Sequence, residues 1–125
     1  MALLLDAGWL IAVEKRERRV RARLQVAQRE RLPVRTGATA LAQVWRGGSR
    51  QASLARVLAG IDVLPLDEAH ARRAGELLGV TGTSDVVDAH MAVLAGRGDE
   101  VLTSDPEDMR RLLSTRRIDV RVVGV

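Results

Sequence analysis

The apolar residues of this chain fall into short runs, separated by longer stretches in which they recur at helical spacing. The short runs predict strands at residues 2–5, 33–36, 61–66, 100–103 and 118–123. The helical spacing predicts helices at residues 9–14, 16–31, 38–46, 49–58, 67–78, 83–95 and from 106 onward. Strands that alternate with helices indicate a parallel sheet with helices on both faces. We therefore predict a single α/β domain, residues 1–125, with about five parallel strands.

The helix over residues 83–95 has one clear apolar face. Val87, Met91 and Leu94 recur at i, i+4 and i+7. Asp88 lies on the neighbouring stripe among small residues, a full turn into the helix, where a carboxylate gains little from the helix dipole and is costly to desolvate. Asp88 is therefore a candidate functional residue.

Asp85 has a structural explanation as well as a functional one. With Thr83 or Ser84 as the N-cap, an acid at position 85 stands in the first turn and complements the helix dipole. Both interpretations of Asp85 stay open from the sequence.

Two further acids end predicted strands. Asp6 follows the first strand and Asp105 follows the fourth, and ligand sites of open α/β sheets lie at that end of the strands. Carboxylates brought together there repel one another unless they are protonated or share a cation. The chain has no cysteine, so oxygen ligands and a hard cation such as Mg²⁺, or Mn²⁺, are expected.

The net charge of +4 is unevenly distributed. Residues 15–35 hold nine basic side chains against two acidic ones, whereas acids concentrate around the candidate metal ligands. A basic segment beside an acidic pocket suits a polyanion held over a metal. Arg16, Arg19 and Arg23 share the outward face of the predicted helix and are the candidate RNA-binding residues. The alternative is an ordinary solvated arginine-rich helix face.

Three sequence blocks resemble those of PIN-domain proteins, particularly VapC-type toxins of bacterial toxin–antitoxin pairs. They are LLLDA at residues 3–7, DVVDAH at 85–90 and LTSDPED at 102–108. The resemblance implies a magnesium-dependent endoribonuclease that works as a homodimer and is neutralised by a cognate antitoxin. It implies that Asp6, Asp88 and Asp105 are the catalytic metal ligands. The residues expected around them are Asp85, Ser104, Asp108 and Gln43.

Gln43 departs from the family pattern, which commonly has a glutamate at the aligned position on the third helix. Its amide oxygen can accept a hydrogen bond from a water but carries no charge and is a poor base. A catalytically weakened module that only binds RNA or protein is therefore an alternative function. Gln43 can also be read as an ordinary polar helix residue.

Other function classes find less support in the residues. A magnesium-dependent phosphotransfer domain would want a second aspartate two residues after Asp6, where Gly8 stands, or a late-loop lysine, whereas Lys15 is the sole lysine. His70 and His90 are interpreted as surface or capping residues, since neither has a partner at metal-ligand spacing. No apolar run is long enough for a membrane span, and residues 1–11 lack the features of a signal peptide. We expect a cytoplasmic protein.

Overall fold

A computed structural model describes residues 1–124 of the chain. Its sheet has five strands in the order β3-β2-β1-β4-β5, and every neighbouring pair is parallel. The strands are β1 (Leu3–Leu5), β2 (Val34–Gly37), β3 (Asp62–Leu64), β4 (Glu100–Thr103) and β5 (Arg121–Gly124). The predicted α/β class and the predicted number of strands are confirmed.

Seven α-helices connect the strands. They are α1 (Ala7–Glu14), α2 (Arg18–Arg29), α3 (Ala38–Val44), α4 (Ala52–Leu58), α5 (Glu68–Thr81), α6 (Val86–Leu94) and α7 (Pro106–Ser114). Helix α1 packs against α2, α3 and α4, whereas α5, α6 and α7 pack against one another. Because parallel crossovers are right-handed, reversing the direction of strand addition after β3 puts these two groups on opposite faces of the sheet. Helices on both faces are thus confirmed.

The core is centred on β1. Leu3, Leu4 and Leu5 are fully buried because β1 is the middle strand and helices cover both of its faces. Val20 and Ala27 of α2 are fully buried as well, and Leu24 packs against the core. These three residues recur at helical spacing and form the inward face of α2, opposite the predicted outward face.

The end of α3 and the start of the next helix differ from the prediction. Helix α3 ends at Val44, because the Gln51 side chain accepts hydrogen bonds from the backbone amides of Arg46 and Gly47 at 2.8 and 2.9 Å. The segment expected to be one helix from residue 49 begins instead with a 3-10 turn, Ser49–Gln51, before α4.

Helix α6 begins at Val86, three residues after the predicted start at residue 83. Asp85 is its N-cap, and the Asp85 side chain accepts a hydrogen bond from the Asp88 amide at 3.0 Å. The predicted cap at Thr83 or Ser84 is wrong. The Thr83 hydroxyl instead lies 3.0 Å from that of Thr81, at the end of α5.

The strand order puts a switch point between β1 and β4. From β1 the chain adds strands in one direction to β3, and it then crosses back to β4 and β5. Clefts at the carboxyl ends of strands open at such points. Within residues 1–124, no helix is both long and apolar enough to cross a bilayer.

Candidate metal centre

Four helices have an aspartate N-cap: Asp67 caps α5, and the other three caps belong to the acidic sequence blocks. Asp6 follows β1 and caps α1, Asp105 follows β4 and caps α7, and Asp85 caps α6. Each side chain accepts a hydrogen bond from a backbone amide three residues later. Capping thus accounts for the aspartate at each of these positions, and it also fixes the direction of the carboxylates.

The closest acidic cluster consists of Asp88, Asp105 and Asp108. Each offers a carboxylate oxygen that lies within 4.8 Å of the other two, and Asp88 and Asp108 are partly buried. Two of these aspartates come from the first turn and the cap of α7, and the third comes from α6. Packing of α6 against α7 brings them together.

Asp6 lies outside that 4.8 Å set of oxygens in the described part of the chain. It is buried, and its carboxylate accepts from the Trp9 amide at 2.9 Å and from the Ser104 amide at 2.9 Å. The Ser104 hydroxyl donates a third, longer bond at 3.5 Å. A carboxylate has about four lone-pair sites, so Asp6 keeps one for a further ligand.

The charges of these residues act together on Asp88. The pKa of Asp88 is raised from 3.8 to about 7, first by burial and then by the negative charges of Asp85, Asp6, Asp105 and Asp108 in that order. Asp6 is therefore close enough to Asp88 to repel it, although it is outside the tightest cluster. Without a cation, this edge of the sheet holds more negative charge than it can stabilise.

The pKa of Asp108 is raised too, first by a hydrogen bond with Asp105 and then by the charge of Asp105. Crowded oxygen donors on a partly open surface match what a hard divalent cation requires. Asp88, Asp105 and Asp108 therefore fit a metal ion, whereas Asp6 as a ligand stays a prediction.

Glycine at position 8 allows the end of β4 to approach α1. A Cβ at Gly8 would lie 2.4 Å from the Ser104 Oγ and 2.5 Å from its Cβ. The contact keeps Ser104 beside Asp6, and it leaves no room for an aspartate two residues after Asp6. The phosphotransfer alternative is therefore weakened further.

Gln43 lies exposed in the last turn of α3. Helix α3 packs against α1 and α6, which begin at Asp6 and carry Asp88 respectively. The position is thus on a helix next to the acidic edge, and the side chain adds no charge to it.

The candidate RNA-binding arginines are not brought to this edge. Arg23 forms an ion pair at 2.7 Å with buried Glu100, the first residue of β4, at the amino end of the sheet. Arg16 donates to the Ser53 hydroxyl at 2.8 Å, and Arg19 is exposed on α2. The basic segment and the acidic cluster therefore lie at opposite ends of the strands.

The interpretation of His90 as a surface or capping residue is wrong. His90 is fully buried, with its Nδ1 2.7 Å from the Thr39 hydroxyl and its Nε2 3.2 Å from the Pro65 carbonyl. The carbonyl can only accept, so Nε2 donates and Nδ1 accepts from the hydroxyl. Burial lowers the pKa of His90. His70, by contrast, lies beside the N-cap of α5 and bonds to Asp67 at 2.7 Å.

Sequence reasoning missed the structural role of His90, which ties α6 to the start of α3 and to the loop before α5. A Cβ at Gly37 would lie 2.8 Å from the His90 Nδ1, so glycine at the end of β2 makes room for the ring. The residues around position 90 do not indicate that Thr39 and Pro65 are the partners of His90, because both are distant in sequence.

No family model matches this sequence, and no curated protein matches it. Solved structures do match it in fold. A chain of VapBC2 from Rickettsia felis, crystallised with a DNA fragment from its promoter, has a TM-score of 0.73 and 13% identity, covering 99% of this chain and 100% of that one. A chain of FitAB bound to the IR36 DNA fragment has a TM-score of 0.65 and 20% identity, covering 96% and 94%.

A chain of FitAcB from Neisseria gonorrhoeae has a TM-score of 0.61 and 21% identity, covering 95% of this chain and 96% of that one. Each similarity extends over nearly the whole length of both chains. Because the sequence identities are low, the matches establish the fold alone. The chain therefore has the PIN-like α/β fold that its three acidic sequence blocks resemble.

Proposed function

We propose that the chain is a metal-dependent endoribonuclease that acts as the toxin of a toxin–antitoxin pair. The observation that carries the proposal is the cluster of Asp88, Asp105 and Asp108 at the switch point of the sheet, with Asp6 alongside. The likeness in fold to VapBC2 and FitAB supports it, as do the sequence blocks that resemble VapC-type toxins.

The residues would divide the work as follows. Asp88, Asp105 and Asp108 would hold Mg²⁺, or Mn²⁺, and Asp6 would provide a further oxygen from a position fixed by the Trp9 and Ser104 amides. A bound Mg²⁺ ion supplies polarisation of a phosphoryl oxygen and a nucleophilic water at neutral pH. Asp88, with a metal-free pKa of about 7, would be kept ionised by a bound cation.

The overall reaction is hydrolysis of an RNA phosphodiester. The water oxygen bonds to phosphorus, one P–O ester bond breaks, and the departing ribose oxygen takes a proton. Carboxylates fixed by helix caps need little rearrangement during this step, which is the advantage of a preorganised site. The proposal includes a cognate antitoxin and a homodimer as the partners, and the cytoplasm as the location of the RNA.

The proposal is tested by incubating metal-free protein with a labelled RNA over a range of MgCl₂ or MnCl₂ concentrations. Cleavage should require the metal, stop with EDTA, and be lost in Asp88→Asn and Asp105→Asn. Asp62→Asn is the matched control, because Asp62 is exposed at the amino end of the sheet. Full cleavage by both site variants together would contradict the proposal.

A second candidate function is a PIN-fold module that binds RNA or protein without cutting RNA. It is favoured by Gln43, which brings no charge to the helix beside the acidic edge. RNA binding by the wild-type protein with no cleavage at any metal concentration would support this second function.

A further inference from the structure

Two arginines meet at one hydroxyl at the amino end of the sheet, and a third lines the same cavity. Arg16 Nε donates to the Ser53 Oγ at 2.8 Å, and Arg56 Nη2 lies 3.5 Å from the same oxygen. Arg21 lines the same cavity of about 240 Å³. We call Arg16, Arg21, Arg56 and Ser53 the arginine cluster. Its members come from the α1–α2 turn, from α2 and from α4.

The guanidinium groups of the arginine cluster form no ion pair among residues 1–124. The ion pairs of that part of the chain use other arginines, and no carboxylate oxygen lies within 4.0 Å of the three guanidinium groups. Like charges that meet at a neutral hydroxyl repel one another. The arrangement is therefore suited to an anion, which would be bound by guanidinium N–H donors and by the Ser53 O–H.

The backbone of Arg16 is also unusual. Its φ of 57° lies in the left-handed region, which glycine normally occupies at the end of a helix. The Arg16 and Glu17 amides bond back to the carbonyls of Val13 and Ala12, so the turn closes α1. Glycine would suit this turn better. An arginine at a position that favours glycine points to a role for its side chain.

We propose that the arginine cluster is a phosphate-binding site for an RNA strand, separate from the metal centre. A tetrahedral phosphate presents acceptor oxygens in several directions and can meet donors from three elements, whereas the acceptors of a carboxylate lie in one plane. Helix α1 separates the two sites: its eight residues span about 12 Å. The inference rests on the proposed function, because the strand held here is the one cut at the other end of the sheet.

The surface next to the arginine cluster can continue the path of the strand. A larger cavity of about 600 Å³ shares Leu24, Arg56 and Val57 with the first and adds Arg31. Arg31 also has a left-handed backbone, with a φ of 56°. A second phosphate of the same strand would therefore meet Arg31.

The test measures binding of a fluorescent uridine 12-mer by anisotropy in EDTA, between 25 and 300 mM KCl, so that no cleavage occurs. The variant combines Arg16→Gly, Arg21→Gln and Arg56→Gln. Glycine suits the turn at residue 16 and glutamine suits a helix, so the thermal midpoint should not fall. Each lost phosphate contact removes roughly 0.7 from the slope of log K against log salt, so loss of the one phosphate bound by the arginine cluster should lower the slope of the triple variant by about 0.7.

Arg73→Gln on α5 is the matched control, because this exposed arginine lies on the other face of the sheet. Its slope should stay near that of the wild type. The proposal is overturned if the wild type does not bind the 12-mer, if the triple variant keeps the wild-type slope, or if Arg73→Gln lowers the slope as much. It is also overturned if the triple substitution weakens binding of a glutamate 12-mer but not of the uridine 12-mer.

The outcome is independent of the nuclease activity. Asp88→Asn should bind the 12-mer with the wild-type slope even if it cuts nothing. If neither the wild type nor any variant cleaves RNA with any metal but the slopes change as expected, the proposed nuclease function is wrong. The proposal that the arginine cluster binds phosphate is then still supported.

Discussion

Asp88 should make the metal-free protein less stable as the pH rises. Its carboxyl has a pKa of about 7 in the folded chain and an ordinary value of 3.8 in the unfolded chain. Between these values the folded state keeps a proton that the unfolded state has lost, so the free energy of unfolding falls as the pH rises. Below pH 3.8 Asp88 is protonated in both states and does not lower the free energy of unfolding. Above pH 7 it lowers the free energy of unfolding by the full amount.

The size of the effect follows from the pKa difference. Without solvent screening, the rise of the Asp88 pKa from 3.8 to about 7 corresponds to a loss of about 4 kcal/mol in the free energy of unfolding. Asp88 is only half-buried, so solvent screens part of this, and we expect a loss of about 2 kcal/mol in the metal-free protein. Asp88→Asn removes the charge and should be more stable than the wild type by about that amount at pH 8.

The assay is urea denaturation in EDTA at intervals between pH 4 and pH 8. His90, whose pKa is lowered by burial, acts in the opposite direction and loses stability as the pH falls below its unfolded value. Because His90 is present in both proteins, the difference between wild type and Asp88→Asn isolates Asp88. That difference should grow from near zero at pH 4 to its full value by pH 7.

Glu76→Gln is the control, since Glu76 is an exposed acid on α5. Its unfolding free energy should follow the wild type at every pH. MgCl₂ in place of EDTA should stabilise the wild type more than Asp88→Asn. If the unfolding free energies of the wild type and of Asp88→Asn remain parallel across the whole pH range, the argument that crowded carboxylates oppose folding here is refuted.

Three further changes test other parts of the structure. Gln43→Glu should lower the Mg²⁺ concentration for half-maximal RNA cleavage by about 5- to 150-fold, the range of a coupling of roughly 1–3 kcal/mol; an unchanged metal titration would mean that the residue does not face the ion. Arg23→Met should leave buried Glu100 unpaired and cost about 3 kcal/mol of unfolding free energy in urea, and a loss below about 0.5 kcal/mol would mean that solvent screens the pair. Gly8→Ala should lower the thermal midpoint through its contact with Ser104, and Ser104→Gly in the same chain should restore it in part; equal midpoints for Gly8→Ala and the wild type would show that the backbone relaxes freely.

The elements of the fold could be predicted because their signals are local. The apolar run that ends at Asp6 is β1, the spacing of Val20 and Ala27 is the inward face of α2, and Asp67 caps α5 as expected. Each depends on residues within a few positions of one another. The end of α3 differs from the prediction because it is decided by the Gln51 side chain, which is seven residues beyond the last residue of the helix.

The sequence predicted which acids lie at the candidate site, but not which of their carboxylate oxygens come close together. Acids at strand ends and helix caps indicate the carboxyl edge, because parallel strands bring their carboxyl ends to one side. Which acids come within 4.8 Å depends on how α6 packs against α7, and that packing favoured Asp108 over Asp6 for the tightest cluster. The prediction that Asp6, Asp88 and Asp105 are the ligands stays a prediction for the metal titrations.

By itself, the sequence determined the fold class, the five strands and the edge of the sheet where chemistry is expected, since hydrophobic period and capping act between near neighbours. Only the tertiary structure decided that His90 is buried between Thr39 and Pro65, and that Arg23 pairs with Glu100 far from the acidic edge. These partners are 25 to 77 residues apart in sequence. Their contacts exist only after the sheet order and the helix packing have brought distant segments together, and no local pattern contains that information.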